Sequence, residues 1–330
     1  MNKKLDKSNL RKILLEYPNQ ISKGTEFAEK IKLPNKKYSE LIICGMGGSA
    51  LPADLLASYF ENEEKFPFPI DIIRNYHLPK KASKKSLIFI SSYSGNTEET
   101  LFCLNESIKI KATVVCFCAG GKIEKIAKEK KIPLIKYEIN FENFQPRYAT
   151  TYAFMAMHTV LKNIGLCKKI NQLPKINTLA YEKKGKEIAK KIIRKTPIIY
   201  APYQLKIIAK NWKIKINENS KTPAFWNYFP ELNHNEMVGF TNPINKFIII
   251  FLRDKNDSKQ INKRIAITAK LFSEKNIENI IIDIEGNDYL EKFLTGSILG
   301  DWVSYYLALS YNQDPTPVDM VEDLKKLLEK

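Results

Sequence analysis

The chain alternates short, mostly apolar runs with amphipathic stretches. Leu41-Ile42-Ile43-Cys44, Ile70 to Ile73, Leu87-Ile88-Phe89-Ile90, Thr113 to Phe117 and Pro133-Leu134-Ile135 lack a solvent face. That is the pattern of strands buried in a parallel sheet. Residues 1–30 read as helix, broken at Pro18. Leu51 to Phe60 and Lys122 to Lys130 predict further helices, and Thr100 to Leu104 begins another. After a connector over 163–175 a second series follows. Helices are predicted over 182–195, 204–216 and 259–272, and strands over 196–200, 247–252 and 280–284. A long helix around 299–310 and a last one from Val318 complete it. Strands alternating with helices predict α/β architecture with doubly wound parallel sheets. At 330 residues with 44% apolar content, two domains fit, drawn at 1–165 and 166–330.

The connections between strands and helices carry the candidate chemistry. Gly45-Met46-Gly47-Gly48-Ser49 follows the first strand. Its G-x-G-G-S form lacks the dinucleotide spacing, and Asp71 precedes the next apolar pair rather than following it, which argues against a nicotinamide cofactor. Ser91-Ser92-Tyr93-Ser94-Gly95-Asn96-Thr97-Glu98-Glu99 joins the third strand to a helix, and Asn96 with Glu99 forms a capping-box pattern. A helix N-terminus offers free N–H groups and positive dipole, to which Ser92, Ser94 and Thr97 add neutral donors. The arrangement suits a phosphate monoester. The plainer reading is a Ser/Gly loop that caps a helix. Both hydroxyl turns fall at carboxyl ends of strands, where open α/β sheets bind ligands.

The formal net charge is +17. Only six of the 53 basic residues are Arg, and the Lys residues are spread along the chain without interleaved aromatics. This predicts a solvated Lys-rich surface rather than a nucleic-acid partner. No run approaches the ~18 apolar residues of a membrane span, and the start M-N-K-K-L-D-K is polar, so a cytoplasmic location is expected. The five cysteines lack framework spacing, which suits reduced thiols, and with three scattered histidines no metal site is expected. His158 sits in an apolar helical stretch and reads as a core histidine.

Three further segments stand out. Arg147 follows Gln145-Pro146 and is expected in the first turn of an apolar helix, where the dipole disfavours a cation. Asn217-Glu218-Asn219 comes just after the predicted 204–216 helix. His234 lies in Glu231-Leu232-Asn233-His234-Asn235-Glu236, the most polar setting of the three histidines. A phosphate clamp with a carboxylate, an imidazole and a guanidinium suits proton shuttling on a sugar phosphate. The carboxylate moves a proton between C1 and C2, the cation stabilises enediolate oxygens, and an acid/base opens the ring.

The glycine turn, the S-Y-S-G-N-T turn, N-E-N, E-L-N-H-N-E and Asp314-Pro315-Thr316-Pro317 occur in an order that resembles the bifunctional phosphoglucose/phosphomannose isomerases of the sugar isomerase (SIS) superfamily. The resemblance spans nearly the whole chain. It implies two SIS-type, flavodoxin-like domains with flanking helices and a homodimer. It implies phosphate bound by Ser49, Ser92, Ser94 and Thr97, with Gly47 and Gly48 against the substrate. Glu218 would be the proton-transfer base and Arg147 the enediolate stabiliser. His234, lent by the partner subunit, would assist ring opening with Lys325. The implied activity is metal-independent and cofactor-free interconversion of glucose 6-phosphate and mannose 6-phosphate with fructose 6-phosphate, in glycolysis and gluconeogenesis. A non-catalytic SIS module that senses a sugar phosphate is the alternative. It would keep Ser92, Ser94 and Thr97 without needing Glu218 and His234 together. A ketose-phosphate amidotransferase would need an ammonia-supplying domain for which the chain has no room.

Overall fold

A computed structural model describes residues 5–34, 36–170 and 174–328. Contacts divide the chain into two compact units. One is Pro18–Leu173; the other joins Pro174–Lys330 to the chain up to Tyr17. A division at 165/166 leaves the first helix, α1 (Leu10–Leu15), in the N-terminal half, whereas it packs in the C-terminal unit. Arg11 holds both Glu182 carboxylate oxygens there, at 2.7 and 2.8 Å, and Tyr305 donates to Asp6 at 3.1 Å.

The N-terminal unit runs α2 (Asn19–Ala28), β1 (Glu40–Gly45), α3 (Gly47–Asn62), β2 (Ile70–Ile73), β3 (Ser86–Ser91), α4 (Glu98–Lys109), β4 (Thr113–Cys118), α5 (Gly121–Glu129), β5 (Leu134–Lys136) and α6 (Thr150–Asn163). Its sheet has the order β2-β1-β3-β4-β5, all parallel. The register pairs Cys44 with Ile90 and Gly45 with Ser91, so β1 and β3 end level with each other. On one face a core of Ile42, Cys44, Ile88, Ile90, Cys103, Leu104, Cys116 and Cys118 packs under α4 and α5. All five cysteines are free thiols, and four of them are buried.

The C-terminal unit runs α7 (Thr178–Ile192), β6 (Thr196–Pro202), α8 (Lys206–Ser220), β7 (Phe225–Phe229), β8 (Phe247–Arg253), α9 (Lys259–Glu274), β9 (Glu278–Asp283), α10 (Tyr289–Ser310) and α11 (Asp319–Leu328). Its sheet has the order β7-β6-β8-β9, again parallel. The plan matches the N-terminal unit strand for strand up to β9, which occupies the place of β4. A counterpart of α5 and β5 is absent among the described residues, so β9 forms the outer edge. In each unit the last long helix packs on the helix before the first strand, α6 on α2 and α10 on α7. It also packs on the helix after the first strand, α3 or α8.

Three local expectations need correction. α8 continues to Ser220, so Glu218 lies in its last turn instead of beyond it. Asn217, Asn219 and Ser220 are poor helix formers, and tertiary bonds described below hold this turn. Arg147 lies in a separate 3-10 turn, Pro146–Tyr148, ahead of α6. The strand β7, with sequence F-W-N-Y-F, has no counterpart among the predicted elements. It is an edge strand with Phe225 exposed, and so lacks the continuous apolar run of its neighbours.

Candidate active site

The two hydroxyl turns meet at the carboxyl ends of β1 and β3, where the strand order reverses direction. This is the topological switch point of a doubly wound sheet. α3 begins at Gly47, earlier than expected, so Gly47, Gly48 and Ser49 form its first turn. Ser49 joins the turns: its Oγ accepts from the Tyr93 N–H at 3.0 Å, and its carbonyl accepts from Ser91 Oγ at 2.8 Å. Ser92 and Thr97 share a hydrogen bond between hydroxyls at 2.8 Å, and Ser92 Oγ also accepts from the Gly95 N–H. Ser92 is buried, Thr97 half-buried and Ser94 exposed.

The capping box does not form. Thr97 occupies the N-cap of α4 without a side-chain cap. The Asn96 side chain instead accepts from the Lys122 N–H at 3.0 Å, tying the turn to α5. Gly95 has φ 69°, and a Cβ there would fall 1.8 Å from the Gly120 carbonyl oxygen, so the turn closes only on glycine. The first turn of α4 keeps N–H groups that no cap satisfies, as an anion site requires.

Arg147 joins this end of the unit through the backbone. A Cβ on Gly48 would come within 2.7 Å of the Arg147 nitrogen, so glycine at 48 lets the Pro146–Tyr148 turn lie directly on the start of α3. The guanidinium is buried, 4.8 Å from the Tyr148 ring centroid, with Nε donating to the Tyr148 hydroxyl at 3.2 Å. Gly47, Gly48, Ser49, Ser92, Ser94, Thr97 and Arg147 thus gather at one end of one sheet.

Glu218, His234 and Lys325 belong to the C-terminal unit. Glu218 is half-buried and flanked by two anchors. Asn217 accepts from the Ala224 N–H at 2.9 Å, and Asn219 donates to Ser304 Oγ at 2.8 Å. Lys221 closes the helix in a left-handed conformation, and its ammonium donates to the carbonyls of Glu218, Asn219 and Asp314 at 2.9, 3.2 and 2.7 Å. His234 ends a 3-10 turn, Glu231–His234, just past β7. Buried Leu232 pins the turn, and Asn233 donates to Thr268 at 2.9 Å. Glu236 accepts from Tyr200 at 2.7 Å and from Asn227. Burial and that hydrogen bond push the Tyr200 phenol well above its usual range. His234 is exposed.

Topology separates Glu218 from His234. A crossover helix between parallel strands runs back along the sheet, so the end of α8 lies at the amino edge. His234 follows the carboxyl end of β7. The five residues of β7 set these edges about 16 Å apart. Lys325 is exposed on α11 and pairs with Glu322 at 2.7 Å. The Thr316 N–H binds Asp314 at 3.0 Å within the D-P-T-P stretch. His158 is a core histidine as expected: buried among Tyr59, Phe60 and Phe154, with its pKa pushed down to about 4 by burial and secondarily by Lys162. Among the described residues, no group of three His, Cys, Asp or Glu is placed to hold a metal ion, and no helix is long and apolar enough to cross a membrane.

Solved structures with this two-sheet plan define the fold class. The chain superposes on the C-terminal domain of glucosamine-fructose-6-phosphate aminotransferase from Francisella tularensis with a TM-score of 0.70, at 17% identity, covering 93% of this chain and 98% of that one. A Clostridium difficile structure described as a putative phosphosugar isomerase gives 0.72 at 15% identity, covering 93% and 95%. These likenesses show a shared fold. Sequence is more specific. Residues 181–328 match the family model described as bacterial phospho-glucose isomerase C-terminal SIS domain. The bifunctional phosphoglucose/phosphomannose isomerase of Aquifex aeolicus is 36% identical over 299 residues, 89% of this chain and 91% of the relative. That of Caldicellulosiruptor bescii is 34% identical over 338 residues, covering 94% and 96%. A D-glucosamine-6-phosphate 4-epimerase of Sulfolobus acidocaldarius is 30% identical over 233 residues, covering 68% and 72%. The chain belongs to the bifunctional phosphoglucose/phosphomannose isomerase family.

Proposed function

We propose that this protein is an aldose–ketose isomerase that interconverts glucose 6-phosphate and mannose 6-phosphate with fructose 6-phosphate. Membership of the isomerase family carries the reaction class. The observation that carries the substrate class is the pair of hydroxyl turns at the switch point, with Ser49 bonded to the neighbouring turn and an uncapped helix start beside Ser92 and Thr97. In this reading Ser49, Ser92, Ser94, Thr97 and the N–H groups about Gly47 and Gly48 hold the phosphate. Glu218 takes the C2 proton of the open-chain aldose, and the electron pair forms C1=C2 while the carbonyl electrons move to O1. The proton returns at C1, and the O2 proton passes to O1, leaving the ketose. Arg147 stabilises the enediolate oxygens. The enediolate has no stereochemistry at C2, so one intermediate serves both epimers.

His234 and Lys325 assist ring opening. The separation of Glu218 and His234 along β7 supports a homodimer in which His234 of the partner subunit completes the site. In this reading the reaction serves glycolysis and gluconeogenesis in the cytoplasm. A non-catalytic sugar-phosphate sensor is not favoured by membership of an enzyme family.

The test is incubation with fructose 6-phosphate and separate assay of the two aldose phosphates. Both are expected. Neither product from folded protein contradicts the proposal, and glucose 6-phosphate alone restricts it to one epimer.

A further inference from the structure

The interface between α8 and α10 is buried yet polar along its length. Asn211 donates to Ser297 Oγ at 2.9 Å, and Trp212 Nε1 to the Gly296 carbonyl at 2.7 Å. Lys215 meets Asp301 at 2.5 Å, with side chains 3% and 2% exposed. Asn219 donates to Ser304 Oγ, and Ser220 Oγ to the Ser304 carbonyl, both at 2.8 Å. Ser304 Oγ in turn donates to the Asp301 carbonyl at 2.9 Å, linking the ion pair to the last rung. Positions 211, 212, 215 and 219 form one helical stripe. Glu218 borders it, three residues after Lys215.

Such an interface is costly. Removing two charges from water has a desolvation penalty that their attraction often fails to repay, and apolar replacements are commonly neutral or stabilising. The fold does not demand it either. The matching interface, α3 on α6, packs aromatic rings: Tyr59 lies 5.7 Å from Phe154 and 5.6 Å from His158 between centroids. The ladder has a feature that aromatic packing lacks: each rung has a single hydrogen-bonded register, so α8 can neither slide nor rotate against α10 without breaking several bonds at once.

We infer that the α8–α10 ladder, with the Lys215–Asp301 ion pair at its centre, is a positioning device that fixes Glu218 for proton transfer. The inference rests on Glu218 being the base. Lys215 and Asp301 are positioning residues, acting through the helix end that carries the carboxylate. Misplacement of a reacting group by about 1 Å is enough to cost about a hundredfold in rate.

The experiment is the double variant Lys215→Met/Asp301→Leu, which removes both charges together and leaves neither unpaired. Folding is read by circular dichroism and thermal melting, and steady-state kinetics with fructose 6-phosphate give kcat and KM separately. The folded double variant is expected to melt at or above the wild-type temperature, keep its KM within threefold and lose at least fivefold in kcat. A folded double variant with a smaller fall in kcat, or with its loss confined to KM, overturns the inference. If it fails to fold, Asn219→Ala decides by the same criterion of a fivefold fall in kcat at unchanged KM. Glu218→Gln, assayed alongside, separates the two readings. An active Glu218→Gln removes Glu218 as base. An inactive Glu218→Gln beside a fully active double variant leaves the base in place and removes only the ladder's role.

Discussion

In the N-terminal unit the helix after the first strand meets the last helix through Tyr59, Phe60, Phe154 and His158. In the C-terminal unit the corresponding helices meet through Asn211, Lys215, Asn219, Asp301 and Ser304. The sheets differ in parallel fashion. β4 has neighbours on both sides, while β9 is an edge beside a cavity of about 970 Å³ lined by Ile280, Ile281, Lys183 and Lys184. In the proposed reading one plan serves two tasks. The N-terminal unit would hold the phosphate with turns at its sheet's carboxyl edge, over helices that pack through aromatic rings. The C-terminal unit would place the Glu218 carboxylate at a helix end, where the packing is a polar ladder.

That contrast can be broken at the turns first. Ser92→Ala with Thr97→Ala should raise the KM for phosphorylated sugars at least a hundredfold while kcat changes little, because each of the two lost hydrogen bonds to a charged group contributes about 1.5–3 kcal/mol. An unchanged KM would remove phosphate binding from the N-terminal unit.

The aromatic interface can be probed through His158, whose pKa is pushed down to about 4 by burial. Below pH 6.5 the unfolded chain gains a proton at this residue that the folded protein does not take up until about pH 4. Stability therefore falls as pH drops through that window, by about 3 kcal/mol from this group. Urea titrations between pH 7 and 4 should show a shallower loss for His158→Phe than for wild type. Equal slopes would mean that His158 titrates normally.

The smallest effect concerns the edges. Amide exchange followed by NMR should be faster along β9 than along β4, whose amides lie between β3 and β5. Equal protection would show that β9 is covered in solution.

Much of the fold was legible because parallel strands buried on both faces read as uninterrupted apolar runs, as Leu87 to Ile90 and Phe247 to Leu252 do. β7 was not, since this edge strand keeps Asn227 and an exposed Phe225. The hydroxyl turns were legible from residue type. Asn96 was misread because its local capping partner lost to a backbone N–H on α5, distant in sequence. The ladder was illegible: Lys215 stands among Lys210 and Lys213 and looks like one more surface lysine until Asp301 is brought against it. The last turn of α8 was lost for the same reason, since its side-chain bonds to Ser304 and Ala224 override weak helix propensity.

We propose a division of labour, with phosphate held by the N-terminal unit and the proton moved by Glu218 in the C-terminal one. Its most direct test is Glu218→Gln, measured for both turnover and binding of fructose 6-phosphate. The account predicts at least a hundredfold loss of kcat with the dissociation constant within a few-fold of wild type. A variant that keeps more than about a hundredth of the activity would contradict it.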